Sequence, residues 1–195
     1  QGGYYQDLEP WISDGTVAGT MLLTNIMPDL GGGYGAGSSP ANFTAMSNNI
    51  VLFTAYEPAG GRELWRSDGT PTGTYQLGDL RPGSRSPLVQ QLTSANRVAY
   101  FTAYTEESGR ELWVTDGTVI GTRQVEDLNP GPQGSDPAAL LFAGGSLYYF
   151  AADHGDDLSM RQLSVSNELP LLISDVIATP GLGGMQLEFS YQRRL

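Results

Sequence analysis

The sequence predicts an all-β fold, namely a β-propeller of four-stranded antiparallel blades that forms a single domain over residues 1–195. Three observations predict this class. A signature recurs at a spacing of 48 residues, 26 Gly and 12 Pro supply frequent turns, and short β-prone apolar runs alternate with those turns. A repeat of this length with four strands is typical of a propeller blade. One blade cannot bury both of its faces, so neighbouring blades must stack.

The signature contains a tryptophan followed by Asp-Gly-Thr and then by Gly-Thr. One copy begins at Glu63 and ends at Thr74, and the next begins at Glu111 and ends at Thr122. An earlier copy has Glu9-Pro10 where the others have Glu-Leu. The residues that we assign to the signature are Trp11, Asp14, Gly15 and Thr16 in the first copy, Trp65, Asp68, Gly69 and Thr70 in the second, and Trp113, Asp116, Gly117 and Thr118 in the third.

The copies are not evenly spaced. The first two tryptophans are 54 residues apart, whereas the next two are 48 apart. Residues 30–39 form a Gly-rich segment, and a surface loop lengthens at little thermodynamic cost. We therefore expect the extra residues in this loop.

Each unit is predicted to contain four strands, as the third unit illustrates. Its strands are expected at residues 88–93, 98–104, 110–115 and 123–128. The second strands of the neighbouring units are expected at residues 50–56 and 147–152.

The chain divides into repeat units of about residues 1–39, 40–86, 87–136 and 137–195. In the last unit Ser159 replaces the tryptophan and no Asp-Gly-Thr follows, so the turn is expected at residues 165–167. The first unit is expected to begin with a short strand around Tyr4 and Tyr5. We expect a C-terminal strand at residues 185–190 to complete this N-terminal blade, which gives four blades and removes open sheet edges. The alternative is a piece of a longer array with more blades.

The recurring Asp-Gly-Thr predicts a tight hairpin turn. An Asp side chain accepts hydrogen bonds from backbone N–H groups one or two residues on, and Gly adopts a positive φ without a Cβ penalty. A catalytic or metal role for these aspartates is the alternative, but an active site is needed only once whereas a fold element is needed in every blade. The tryptophans are likewise expected in the core between blades, with an aromatic platform for sugars as the alternative.

The segments that begin at Glu63 and Glu111 resemble the ELWxxDGT-repeat family, and the hairpin is similar to the Asp-box turn of sialidase-like propellers. The resemblance covers most of residues 7–155. It implies a secreted or surface β-propeller of bacterial type, located outside the cytoplasm, and it implies no defined activity.

Charge and composition exclude several classes of protein. The 10 Lys+Arg against 21 Asp+Glu give a net charge of −11, which disfavours a nucleic-acid partner because phosphate requires a basic surface. The absence of cysteine excludes disulfide scaffolds, thiol catalysis and cysteine-ligated zinc. No apolar run approaches the about 20 residues of a membrane span, so no transmembrane segment is expected. The chain starts at Gln1, and we expect a soluble, processed protein.

An enzyme is not expected. A glycosidase needs two positioned carboxylates, and a sialidase-like site needs a tyrosine and clustered arginines. The candidates Arg62, Arg110, Glu63 and Glu111 are repeat positions in separate blades, so they are not expected to form one site. The single histidine, His154, lacks a serine or cysteine motif to serve.

A cation site has only weak candidates. Asp153, Asp156 and Asp157 concentrate acid in one loop, and Ca²⁺ takes carboxylate oxygens, but their spacing is not that of an EF-hand. A solvated loop is the favoured interpretation. The recurring Asp79, Asp127 and Asp175 are a second weak candidate, and we expect them to end the fourth strand and to orient the loop to the next blade. No other cofactor is expected.

Asn42 begins an Asn-Phe-Thr triplet, which fits the acceptor pattern for N-glycosylation but also arises often by chance.

We expect a non-catalytic scaffold or protein-interaction module, such as an accessory subunit of a surface or envelope assembly, which binds other proteins or copies of itself. The alternative is a carbohydrate-binding or carbohydrate-processing propeller with its ligand at the central axis.

Overall fold

The computed structural model describes residues 8–28, 37–59, 61–83, 85–152, 158–165, 176–178 and 186–189. Every regular element in these residues is a β-strand, which confirms the all-β class. No helix in this part of the chain is long and apolar enough to cross a membrane.

The strands are short and follow one another closely. In chain order they are β1 (Trp11–Ile12), β2 (Met21–Leu22), β3 (Ala41–Ala45), β4 (Val51–Glu57), β5 (Gly61–Ser67), β6 (Tyr75–Gln76), β7 (Gln90–Ala95), β8 (Val98–Thr105), β9 (Gly109–Thr115), β10 (Arg123–Gln124), β11 (Ala138–Ala143), β12 (Ser146–Ala152), β13 (Leu158–Ser164), β14 (Val176–Ala178) and β15 (Gln186–Phe189).

Two repeat units form complete four-stranded antiparallel sheets. Their strand orders are β3-β4-β5-β6 and β7-β8-β9-β10, so each strand pairs with the next along the chain. The first sheet has only β1 and β2 among the described residues, and the last has the order β11-β12-β13-β15-β14.

The strand near the C-terminus lies elsewhere than the sequence predicts. β15 pairs in parallel with β13, opposing Leu187 to Leu163, and does not pair with β1 or β2. The prediction that this strand completes the N-terminal blade is therefore wrong for the described residues. The last unit lacks the Asp-Gly-Thr hairpin that carries an antiparallel fourth strand to β5 and β9, and β15 takes that open edge of β13. Tyr4, Tyr5 and residues 166–167 lie outside the described residues.

The first strands of the second, third and fourth units each contain a β-bulge at the same place. The register to the second strand shifts after Ala41 in β3, after Gln90 in β7 and after Ala138 in β11. The next residue in each case has a positive φ, at 57° in Asn42, 55° in Gln91 and 54° in Ala139. These first strands lie side by side, β3 beside β7 and β7 beside β11.

The register also corrects the location of the extra residues between the first two signatures. Ala41 opposes Thr54, and Gln90 opposes Thr102, so these pairs occupy equivalent positions. The segment from Ala41 to Thr54 is one residue longer than its counterpart, and that residue lies in the β3–β4 hairpin turn. The other five precede Ala41, where the sequence predicted the whole insertion.

The hydrophobic core lies between consecutive sheets. One cluster joins Leu52, Leu64 and Leu77 of the second sheet to Phe101 of the third, and an equivalent cluster joins Leu112 of the third to the fourth. Burial of these side chains from both sides holds the units together, since apolar burial stabilises by about 25 cal/mol per Å².

The tryptophans differ in burial. Trp113 is half-buried, stacks on Phe101 with ring centroids 6.2 Å apart and packs against the core between the second and third sheets. Trp65 stacks on Phe53 in the same way at 6.4 Å. Trp11 is 60% exposed, so the prediction that it lies in the core is wrong. In the described part of its unit there is no second strand beside β1 to carry a stacking phenylalanine.

Candidate functional site: hairpin tips, buried glutamates and an inner cleft

The Asp-Gly-Thr hairpin is held by the aspartate side chain. Asp116 Oδ1 accepts hydrogen bonds from the Thr118 N–H at 2.8 Å and from the Thr118 hydroxyl at 2.7 Å. The same pair of bonds joins Asp14 to Thr16 and Asp68 to Thr70. These bonds are those that the predicted turn requires.

A second set of hydroxyl contacts closes each hairpin. Thr115 Oγ1 accepts from the Gly117 N–H at 3.0 Å and lies 2.7 Å from the Thr122 hydroxyl. Gly117 has φ +86°, and a Cβ on Gly121 would lie 2.1 Å from the Asp116 carboxylate. The glycines of the signature are therefore required by the backbone conformation at one position and by close packing at the other.

These contacts lower the pKa of two of the aspartates, Asp14 and Asp68. The Thr16 N–H, followed by the Thr16 hydroxyl, lowers the pKa of Asp14. The Thr70 hydroxyl and N–H lower the pKa of Asp68, which also pairs with Arg66 at 3.2 Å. Such carboxylates are poor candidates for general acids, since they hold no proton near neutral pH.

The hairpin tips, which we define as residues 16–19, 70–73 and 118–121, present aliphatic side chains to solvent. Val17 is 96% exposed, Ile120 is 89% exposed and Val119 is 53% exposed. The second tip carries Pro71 in the position of Val17. Because the turn beneath each tip is rigidly hydrogen-bonded, these side chains are held outward on a fixed frame.

The glutamate two residues before the signature tryptophan is fully buried at Glu63 and Glu111 and half-buried at Glu9. Glu111 is fully buried and accepts from the Ser135 N–H at 2.7 Å and from the Ser135 hydroxyl at 2.5 Å. Glu9 accepts in the same way from Ser38, and also from the N–H groups of Ile26 and Met27. These bonds fasten the third strand of a unit to the loop that leads into the next unit.

Glu63 occupies the same position without a serine. The carbonyls of Ser38, Pro87 and Ser135 accept equivalent bonds, from the N–H groups of Tyr56, Tyr104 and Ala152, which are spaced by 48 residues. The second unit therefore has Pro87 where the others have serine, and proline has neither an N–H nor a hydroxyl to donate. Among the described residues, neither Glu63 oxygen has a partner in hydrogen-bond geometry.

Burial without full compensation changes the titration of these acids. Burial raises the pKa of Glu63 to about 8, although the Leu80 N–H acts in the opposite direction. Burial also raises the pKa of Glu111, to about 7, and the Ser135 hydroxyl and N–H oppose this shift. Glu63, the glutamate of the unit without the serine, therefore has a higher pKa than Glu111.

The arginines and glutamates that the sequence offered as enzyme candidates do not converge. Arg62 donates to the Thr54 and Ser39 carbonyls, and Arg110 donates to the Leu88 carbonyl. The ion pairs of the described residues do not join either arginine to Glu63 or Glu111. Each arginine instead fastens a third strand to the segment that precedes its own first strand.

An inner cleft of about 230 Å³ lies between β3 and β7. It is open to solvent and is lined by Asn42, Phe43, Thr44, Val89, Gln90, Gln91 and Leu92. Phe43 is 60% exposed and stacks on Phe53 at 5.5 Å. Asn42, the predicted glycosylation site, is exposed at its rim and donates from Nδ2 to Thr54 Oγ1 at 3.2 Å.

The remaining candidates give no site. Asp153, His154, Asp156, Asp157 and Asp175 lie outside the described residues. Asp79 accepts from the Arg81 N–H at 3.2 Å, and Asp127 is exposed. The part of the chain that the structure describes contains no group of three His, Cys, Asp or Glu residues placed to hold a metal ion.

Sequence reasoning missed the buried glutamates and the inner cleft. The recurrence of Glu directly before the leucine was a signal for the first, because a charged residue repeated on a buried strand needs a repeated partner. The cleft had no signal, since it forms between strands about 50 residues apart.

Comparisons with family models, with curated proteins and with solved structures gave no match.

Proposed function

We propose that the chain is a non-catalytic protein-interaction or scaffold module, built from units that stack as propeller blades do and displayed outside the cytoplasm. The observation that carries the proposal is the set of exposed aliphatic side chains at the hairpin tips. Val17, Val119 and Ile120 stand on turns whose own polar groups are already hydrogen-bonded, so the tips offer apolar contact at little entropic cost. The location rests on the family resemblance.

Two further observations support a role without catalysis. The Asp side chains of the turns are engaged with their own threonines, and the arginines and glutamates of the third strands hold the units together. Each of these groups recurs in consecutive units, as a fold element does.

The proposal is tested by the variant Val17→Ser combined with Ile120→Ser. Binding partners are captured from an extract of the native envelope with the wild-type chain and with the variant, and light scattering measures self-association. The substitutions remove two apolar contacts, so we expect captured partner or self-association to weaken about tenfold. The matched control, Asn48→Ser in the exposed β3–β4 turn, should leave both unchanged. A strictly monomeric wild-type chain that captures nothing would refute the proposal.

A carbohydrate-binding role is the second candidate. The exposed Trp11 and Phe43 support it, because sugars stack on aromatic faces. A glycan array combined with a hydrolysis screen distinguishes the two functions. Specific binding that survives moderate salt and weakens in Phe43→Ala favours the carbohydrate role. The absence of both binding and hydrolysis excludes that role.

A further inference from the structure

The junction between the third and fourth sheets contains an amide held by two backbone groups. Gln91 Nε2 donates to the Pro137 carbonyl at 3.0 Å, and the Leu140 N–H donates to Gln91 Oε1 at 3.2 Å. The carboxamide of β7 is thus bound at both ends by the bulge of β11. It acts as an internal ligand that closes the junction.

The preceding junction has the same backbone frame but a shorter side chain. Asn42 is equivalent to Gln91, since each follows the residue that opposes Thr54 or Thr102 and each has a positive φ. The groups equivalent to the Pro137 carbonyl and the Leu140 N–H are therefore the Val89 carbonyl and the Leu92 N–H. Both of these residues line the inner cleft.

The side chain that would close this junction is turned elsewhere. Asn42 is one methylene shorter than glutamine, and its Nδ2 donates to Thr54 Oγ1 within its own sheet. Among the described residues, no side-chain hydrogen bond reaches the Val89 carbonyl or the Leu92 N–H. The cleft of about 230 Å³ remains where the next junction holds an amide.

We propose that the inner cleft binds a side-chain carboxamide, that of Gln or Asn, presented by a partner protein. Its N–H donates to the Val89 carbonyl, its oxygen accepts from the Leu92 N–H, and Phe43 covers its methylene groups. The source of the carboxamide rests on the proposed interaction function, whereas the recognition chemistry rests on the Gln91 contacts alone.

The Val89 carbonyl and the Leu92 N–H together select a primary amide over similar groups. A primary carboxamide presents a donor and an acceptor on the same edge, as Gln91 does. A trans secondary amide, such as the acetamido group of a sugar, directs its N–H and its oxygen to opposite sides. A carboxylate has no donor and would place a charged oxygen against the Val89 carbonyl.

The test is an NMR titration of the full chain that follows the Leu92 N–H. The probe is N-acetylglutamine N-methylamide, which has one primary carboxamide, and the controls are the corresponding glutamate and methionine compounds. We expect a saturable shift of the Leu92 resonance with the glutamine compound and none with the controls. No saturable shift, or an equal shift with either control, overturns the proposal.

Two variants sharpen the result. Asn42→Gln should supply the missing amide in cis and abolish the response to the probe, and an unchanged response overturns the proposal. Gln91→Asn should open the next junction and give a new response at the Leu140 N–H, provided that the resonances of the core residues show a folded chain. Partner capture by a chain that does not bind the probe would refute the carboxamide site alone. Probe binding by a chain that captures no partner would refute the interaction function instead.

Discussion

Glu111 and Ser135 are joined by two hydrogen bonds, one from the serine N–H and one from its hydroxyl, across 24 residues of sequence. This contact fastens a third strand to the loop that leads into the next unit. In the second unit the same contact is missing because Pro87 stands in the place of the serine. The buried Glu63 carboxyl therefore receives neither of the two hydrogen bonds. A buried carboxyl without hydrogen-bond partners costs free energy even when it is protonated, and it costs far more when it is ionised.

Glu63 should therefore make the stability of the chain depend on pH. Its pKa is raised from 4.5 to about 8 in the folded state, so the folded chain holds a proton that the unfolded chain releases between these values. The free energy of unfolding should fall as the pH rises from 4.5 to 8, by up to about 1.4 kcal/mol per pH unit for this group. The Glu63→Gln variant should lose this part of the slope and exceed the wild type in stability at pH 8 by at least about 1 kcal/mol.

Glu111→Gln is the matched control for this prediction. The glutamine amide can accept only one of the two bonds from Ser135, so we expect a smaller gain or a loss of stability at pH 8. Chemical denaturation at several pH values measures both variants. Identical pH profiles for wild type and Glu63→Gln would contradict the assignment.

Pro87→Ser should restore the missing contact. The new N–H and hydroxyl should stabilise the charged form of Glu63 and lower its pKa from about 8 towards the value of about 7 at Glu111. The carboxyl ¹³C shift of Glu63, followed by NMR over a pH titration, measures this. Pro82→Ser in the same loop serves as the control and should leave the titration unchanged. A Glu63 midpoint that does not move in Pro87→Ser would show that the proline is not the cause.

The local contacts of this fold and the contacts between distant segments differ in how far the sequence predicts them. The hairpin that contains Asp116 and Thr118 could be predicted, because its hydrogen bonds join residues a few positions apart and depend on local turn chemistry. The pairing of Leu187 with Leu163 and the substitution of Pro87 for serine beside Glu63 could not, since both depend on which distant segments come together. The exposure of Trp11 belongs to the second kind, because burial requires a neighbouring strand that a local pattern does not contain.

Gly117→Ala should be strongly destabilising. The residue has φ +86°, which alone costs about 1–2 kcal/mol for alanine, and the new Cβ would lie 2.9 Å from Ile50 Cδ1 on the neighbouring sheet. Gly15→Ala is the control, since its φ is +89° but a Cβ there meets nothing within 4 Å. Thermal or chemical denaturation should show the larger loss for Gly117→Ala.

A double-mutant cycle isolates the contact between sheets. Ile50→Val removes the methyl group that the new Cβ would meet, and in the wild-type background this change should cost about 0.5–1.5 kcal/mol. In the Gly117→Ala background it should cost less, because it also relieves the overlap. Strict additivity of the two changes would mean that the turn and Ile50 do not pack together as described.

The two tryptophans at the ends of the repeat series should respond very differently to truncation. Trp113 stacks on Phe101 and packs against the core between two sheets, so Trp113→Ala should lower the free energy of unfolding by about 2–4 kcal/mol. Trp11 is mostly exposed, and Trp11→Ala should cost less than about 1 kcal/mol. The loss of unfolding free energy in Trp113→Phe should lie between the losses in Trp11→Ala and Trp113→Ala. The variant keeps an aromatic ring beside Phe101 and removes a buried indole N–H that has no hydrogen-bond partner among the described residues. Equal losses for Trp11→Ala and Trp113→Ala would show that the first unit buries its tryptophan as the others do, and would restore the uniform stacking that the repeat pattern alone predicts.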